Sequence, residues 1–381
     1  MIDALLFALG LLSLLAGAEL LVRGASRLAL GFGLSPLVVG LTVVAFGTSA
    51  PEIAVSAGAV LDGRNDIAVG NVVGSNIFNV LVILGFSAMV APLVVRSQVI
   101  RQEVPIMLGG SLLLMLMSRD GVIGRGDATM LFALIVAYTA FLVLQARRGP
   151  QPVGQEFAND LARRAKPSSQ LMMQVGLILA GLALLVVGAG WLVDAASAFA
   201  RALGVSDVVI GLTIVAAGTS LPELATSAIA ALRGERDIAV GNAIGSCTFN
   251  TLGCLGISGL LADGGLAIAP SVQNFDLWVM LATGFACVPV MLTGRRIVRW
   301  EGALFLAYYA IYTAYLILAA QQHDALPVFS YAMLWFVIPL TVLTLAGLLL
   351  RARIGLPGTE VGRNAQRSAA ADDSGRPGPN R

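Results

Sequence analysis

Long apolar runs separated by short polar breaks occupy most of the chain, at roughly 4–22, 36–61, 66–90, 104–118, 128–146, 171–193, 208–232, 238–261, 275–293, 300–319 and 327–350. About twenty apolar helical residues cross the hydrocarbon of a bilayer, so the pattern predicts eleven transmembrane helices in an all-α polytopic membrane protein. The first run lacks the positive start of a signal peptide, and Glu19 and Arg23 stand where its small-residue cleavage site would be; a retained helix is predicted. Two stretches break the pattern. Residues 147–170 are charged, Pro-bearing and short, which predicts a linker, and 354–381 hold almost nothing to bury, which predicts a disordered tail.

The apolar pattern also repeats. Gly40–Gly85 reappears at Gly211–Gly256 with an offset of 171 residues and no gap, and 29 of the 46 aligned positions are identical. The match continues weakly upstream, where GLLSLLAGAELL at 10–21 aligns with GLALLVVGAGWL at 181–192. Five spans separate the two starts, and an odd number makes the second copy enter the membrane from the opposite side. The predicted organisation is therefore two inverted five-helix repeats, 1–146 and 171–320, related by a pseudo-two-fold axis in the membrane plane. Residues 147–170 join them. The eleventh span, within 321–353, has no counterpart in the first half and is expected at the periphery.

Composition agrees with this reading: 57% of the 381 residues are hydrophobic and 12% charged, about half the charged share of a soluble domain. The net charge of +2 says little, but the placement of the basic residues sets an orientation. With the N-terminus outside, sixteen Arg and Lys fall in inner loops and only Arg64, Arg119, Arg125 and Arg201 in outer ones. A multi-pass protein of the inner membrane is expected, with linker and C-terminus cytoplasmic. Cys247, Cys254 and Cys287 lie in apolar segments, against a disulfide framework. Cys247 is expected to pack, and the lone His323 to sit in a solvated loop. There is no GxxxxGK[ST], HExxH or GxSxG motif, and nothing points to nucleic acid.

Candidate chemistry sits inside the repeat. In GTSAPE (47–52), Gly47 and Pro51 predict a break in the helix, freeing carbonyls of Ala45, Phe46, Gly47 and Thr48; Thr48 and Ser49 add hydroxyls and Glu52 a carboxylate. Unpaired backbone at membrane depth is tolerated where it lines a cavity or binds something. The second copy supplies Gly218, Thr219, Ser220, Pro222 and Glu223. Further on, GNVVGSNIFN (70–79) and GNAIGSCTFN (241–250) place Ser75 with Asn79, and Ser246 with Asn250, on one helical face each. Every donor is oxygen, the chemistry that suits calcium and sodium rather than zinc. Small residues and hydroxyls also pack helices routinely, but the glutamates need another explanation. A carboxylate at the helix centre costs roughly 2.5–3.5 kcal/mol, and no Lys or Arg lies in the same spans. A bound cation would supply the missing charge. Glu19 and Asp194, near span ends, are expected to reach the headgroups instead.

GTSxPE followed by GNxxGSNIFN, present twice, resembles the alpha repeats of the sodium/calcium exchanger group of the calcium/cation antiporter superfamily, in its bacterial form, over roughly residues 4–320. The resemblance implies ten core helices, with the second, third, seventh and eighth around four cation sites. It places calcium on Glu52 and Glu223 with the carbonyls of Thr48 and Thr219. Sodium would use Ser49, Ser75, Ser220, Ser246 and the carbonyls of Ala45 and Ala216, with Asn79 and Asn250 in the middle. Many relatives have Asp at the place of Asn250, and Cys247 replaces a usual Asn; the eleventh span is also extra. The implied activity is calcium/sodium antiport by alternating access, with calcium/proton exchange as the alternative. Calcium and sodium are then transported substrates, no cofactor is expected, and the chain is expected to work as a monomer.

Overall fold

The computed structural model describes residues 2–32, 34–148, 167–203, 216–323, 325–339, 342, 346 and 347. Most of the expected linker, the expected tail and the first part of the seventh span lie outside the described residues. Among the described residues, nine helices are long and apolar enough to cross a membrane: α1 (Asp3–Gly31), α2 (Pro36–Leu61), α3 (Ile67–Val90), α4 (Val99–Asp120), α5 (Arg125–Ala146), α6 (Leu171–Ala202), α8 (Arg236–Leu261), α9 (Val272–Leu292) and α10 (Arg299–Ala320). Between them lies α7, described as a helix over Leu221–Leu232, and after them α11 (Leu326–Trp335). The described part of α11 is exposed at Val328, Tyr331 and Trp335, a peripheral position.

Two helices are longer than their apolar runs. The helix of α1 continues to Phe32 and that of α6 to Ala202, beyond the expected ends at 22 and 193. Polar residues did not end α1 because they are good helix formers and are paired: Glu19 holds both Arg23 and Arg233. Asp194 is exposed, but it lies inside the helix, eight residues before Ala202, and not at the span end expected for it. The start of α4 is likewise earlier than 104, since Gln98 and Gln102 fold onto the buried Glu103 (3.0 and 2.8 Å), as does the Tyr138 hydroxyl of α5 (2.7 Å).

Burial orders the helices. About four-fifths of the α8 span is buried (83%) and 72% of α3, against 6% of α10, so α3 and α8 form the centre. Short connections sort onto two faces. On one, β1 (Leu93–Val94) pairs with β4 (Arg296–Ile297), and Arg96 meets Asp237 at 2.5 Å. On the other, β2 (Val122–Ile123) pairs with β3 (Leu266–Ala267), Arg125 meets Asp263 at 3.5 Å, and Asn65 donates to the Gly265 carbonyl. The first will be called the Arg96 face and the second the Arg125 face.

Contacts recur with the halves exchanged. The seams of α1 and α6 run antiparallel and close enough that a Cβ on Gly10 would meet the Gly188 carbonyl at 2.9 Å, and one on Gly17 the Gly181 carbonyl at 2.8 Å. Gly10 and Gly17 are the 171-residue counterparts of Gly181 and Gly188. Spacing of seven keeps each pair near one face of its helix. At their ends α2 and α7 close alike: Gly63 (φ 75°) and Gly234 (φ 79°) take the left-handed conformation. The next residues, Arg64 and Glu235, donate back to Ala59 and Ala230 carbonyls at 2.8 and 2.9 Å.

Candidate ion-binding site

The site forms where α2 and α7 break against α3 and α8. Ser35 caps α2, its Oγ accepting the Val38 N–H at 3.3 Å, with Pro36 in the first turn. A π-helical turn, Gly40–Val44, follows, and the helix then breaks at Ser49 (φ −79°, ψ 3°) before resuming at Ala50. The counterpart break is at Ser220 (φ −91°, ψ 6°). Unwinding is narrower than expected. The Ala45 carbonyl still accepts the Ser49 N–H at 3.0 Å, while Pro51 leaves the Gly47 carbonyl without its helical donor. In the second copy the Ser220 N–H turns to the Ala217 carbonyl at 3.2 Å, one residue short of Ala216.

The polar residues read from the sequence are nearly all buried, and hydrogen bonds join Ser49, Ser75 and Ser220 to the two glutamates. Thr48, Ser49, Glu52, Ser75, Asn79, Ser220, Glu223, Ser246 and Asn250 are buried, and Thr219 is half-buried. Ala45 is buried too, and Ala216 opens the described turn Ala216–Gly218. The carboxylates are held crosswise. Ser220 of the second half donates to Glu52 Oε1 at 2.9 Å, and Ser49 of the first half donates to Glu223 Oε1 at 3.2 Å. Ser75 reaches Glu52 Oε1 at 3.5 Å.

Equally informative are the buried oxygens that the protein leaves unsatisfied. Glu52 Oε2, Glu223 Oε2, Ser246 Oγ and the amides of Asn79 and Asn250 have no hydrogen-bond partner within the protein. The Asn79 amide lies beside the Cys247 thiol without a bond of good geometry. Buried polar groups are normally paired, and each orphan costs about 1–3 kcal/mol. Among the described residues no ion pair reaches either glutamate. Several oxygens and two carboxylates converging from both halves suit a hard cation. No group of three or more His, Cys, Asp or Glu side chains occurs among the described residues, so soft-metal chemistry has no counterpart set.

At the central asparagines, α3 and α8 each widen into a π-helical turn, Asn79–Leu84 and Phe249–Cys254, that contains Asn79 or Asn250. Such turns are rare and gather at functional sites. Cys247 packs as expected, its Sγ against the Asn76 carbonyl at 3.8 Å, while Asn76 donates to Thr251 at 2.7 Å.

Sequence reading missed two participants, Asn71 and Asn242. Asn242 accepts the Thr48 hydroxyl at 3.0 Å and donates to Ser227 Oγ at 2.9 Å and to the Glu223 carbonyl at 3.2 Å. Asn71 accepts the Thr219 hydroxyl at 3.4 Å and donates to Ser56 Oγ at 3.1 Å. The signal was present: Asn71, Ser75 and Asn79 are four residues apart, as are Asn242, Ser246 and Asn250, so one polar stripe continues a turn further.

This arrangement has known relatives. The sequence pattern of the family described as "Sodium/calcium exchanger protein" matches residues 2–144 and 173–318. The chain is 39% identical to a putative antiporter, CaxA, of Alkalimonas amylolytica, over 80% of this chain and 96% of that one. It is 32% identical to the sodium/calcium exchanger MaX1 of Methanosarcina acetivorans, over 82% and 97%. Among solved structures, the sodium-calcium exchanger NCX_Mj superposes with a TM-score of 0.70 at 33% identity, covering 82% of this chain and 98% of that one. This chain therefore belongs to the sodium/calcium exchanger protein family.

Proposed function

We propose that the protein is a secondary antiporter that exchanges calcium for sodium across the inner membrane by alternating access. One observation carries the reading: two buried carboxylates, one from each half, are each held by a serine of the opposite half and each keep an oxygen without a hydrogen-bond partner. Glu52 and Glu223 then bind calcium with the Thr48 and Thr219 carbonyls. Ser49, Ser75, Ser220 and Ser246 serve sodium with the Ala45 and Ala216 carbonyls, and Asn79 and Asn250 sit between. Ten spans form two inverted five-helix units, and the chain works as a monomer without a cofactor. With Asn250 neutral, the site carries −2 at most, balanced by one calcium or two sodium ions. A third monovalent ion would leave a buried +1, which is costly.

In proteoliposomes, calcium flux should therefore follow an imposed sodium gradient, persist without potassium, and be indifferent to a proton gradient at fixed sodium. Flux driven by protons alone would replace sodium with protons as the counter-ion. Flux that stops when potassium is withdrawn would overturn the charge argument.

Orientation follows the same reading, with Met1 outside and the Arg96 face cytoplasmic. A single cysteine placed within 147–170 should resist an impermeant thiol reagent on intact cells and react after permeabilisation. Labelling from outside would reverse the topology.

A further inference from the structure

We propose that Asn71 and Asn242 are reciprocal latches, each closing one side of the site, of which the Asn242 latch is shut and the Asn71 latch loosened in this conformation. The inference rests on the reading of the site as an alternating-access cation site.

Geometry places the two asparagines on opposite sides of the carboxylates. Asn242 lies in the second turn of α8, near the Arg96 face, where that helix begins with Arg236 and Asp237. Asn71 lies in the second turn of α3, which begins beside the Arg125 face at Asn65. Each ties the two broken helices together on its own side. Asn242 grips the second part of α7 through Ser227 and the Glu223 carbonyl, and takes the Thr48 hydroxyl from the first part of α2. Asn71 grips the second part of α2 through Ser56 and takes the Thr219 hydroxyl ahead of the α7 break. Exchange of the halves under the 171 offset converts Thr48, Ser227 and Asn242 into Thr219, Ser56 and Asn71. The Glu223 carbonyl bond is particular to Asn242, since the Glu52 carbonyl lies against Cys254 Sγ at 3.4 Å.

Their states differ. On the Arg96 side the threonine bond is 3.0 Å, and Thr48 and Asn242 are both fully buried. There, α8 packs backbone to backbone on the first part of α2: a Cβ on Gly241 would meet the Leu37 carbonyl at 3.0 Å, and one on Gly245 the Leu41 carbonyl at 3.0 Å. On the Arg125 side the bond is 3.4 Å, near the limit of a hydrogen bond, and Thr219 and Asn71 are both partly exposed. Two equivalent contacts in unequal condition are what alternating access requires of a gate: when the Arg125 side shuts, Asn71 takes the tight geometry and Asn242 gives it up. The latch uses threonine hydroxyls and asparagine amides. It leaves the threonine carbonyls free for the ion, so Asn71 and Asn242 are positioning residues.

A ligand's apparent affinity at one face scales with the population open to that face. Breaking the Asn242 latch should favour the state open to the Arg96 face. In full-length protein reconstituted into sided vesicles, Asn242→Ala should lower the half-saturating calcium concentration at the Arg96 face and raise it at the Arg125 face. A change of about three- to tenfold in their ratio corresponds to one hydrogen bond. Asn71→Ala should move that ratio the other way. Thr48→Val, which keeps the carbonyl and the shape, should reproduce Asn242→Ala and add nothing to it in the double variant; Thr219→Val should do the same for Asn71→Ala. The valine variants also carry the comparison if an alanine variant fails to accumulate. Ratios that stay fixed, or move in one direction for both asparagines, would overturn the latches even with sodium-driven exchange intact. Loss of sodium-driven exchange in the wild-type protein would instead overturn the site reading beneath them.

Discussion

Glu52→Gln and Glu223→Gln are each expected to abolish calcium transport and to lower calcium affinity by more than about a hundredfold. Glutamine keeps the shape and the Oε1 acceptor that takes the Ser220 or Ser49 hydroxyl (2.9 and 3.2 Å). It converts the unsatisfied Oε2 into an NH2 donor, which cannot ligate a cation, and reduces the site from −2 to −1. Removing one partner from a buried, charge-balanced set typically costs about 3–5 kcal/mol, and about 1.4 kcal/mol is tenfold in affinity. The two variants should be comparably damaged, because each carboxylate is held by a serine of the opposite half. Uptake of radioactive calcium into sodium-loaded proteoliposomes reads the loss. Near wild-type uptake by either variant would remove that glutamate from the site.

The second large effect is steric. Gly181→Val should destabilise the protein by about 1–3 kcal/mol, the usual cost of overfilling a close contact. A Cβ there would stand 2.7 Å from the Leu21 nitrogen and 2.8 Å from the Gly17 carbonyl, both backbone atoms that no side-chain rotation can move aside. Nothing among the described residues lies within 4 Å of a Cβ on Gly190, nine residues along the same helix, so Gly190→Val is the matched control. It carries the same propensity penalty for valine in a helix without the clash. Thermal unfolding in detergent, followed by loss of monodisperse protein, should separate the two. Equal stability would mean that α1 and α6 do not pack along this seam.

Much of the fold was legible because hydrophobic length and the 171-residue repeat are strong signals. They located the nine helices long enough to cross a membrane among the described residues, and GTSxPE and GNxxGS marked residues that are buried where those helices break. What escaped had no contrast with its surroundings. Gly10, Gly17, Gly181 and Gly188 sit in uniformly apolar sequence, where a glycine that packs reads the same as one that merely occurs. Their pairing appears only once two helices are side by side. Polarity misled at Glu19 and at Glu103. The first stands at the end of an apolar run although its arginine partners let the helix continue, and the second falls in the polar break before the 104–118 run although Tyr138 and two glutamines hold it buried. Asn71 and Asn242 stood inside the quoted motifs, but their partners are in the other half, at sequence separations of 148 and 194 residues that no local pattern reports.

The central claim is that calcium and sodium share one site built from both halves. Equilibrium binding of radioactive calcium to the purified protein, titrated with sodium at fixed pH and ionic strength, tests it most directly. Sodium should displace calcium fully and competitively, with more than one sodium needed per calcium, and both glutamine variants should bind no measurable calcium. Calcium that stays bound at saturating sodium, or that binds normally when Glu52 or Glu223 is neutralised, would contradict a single shared site.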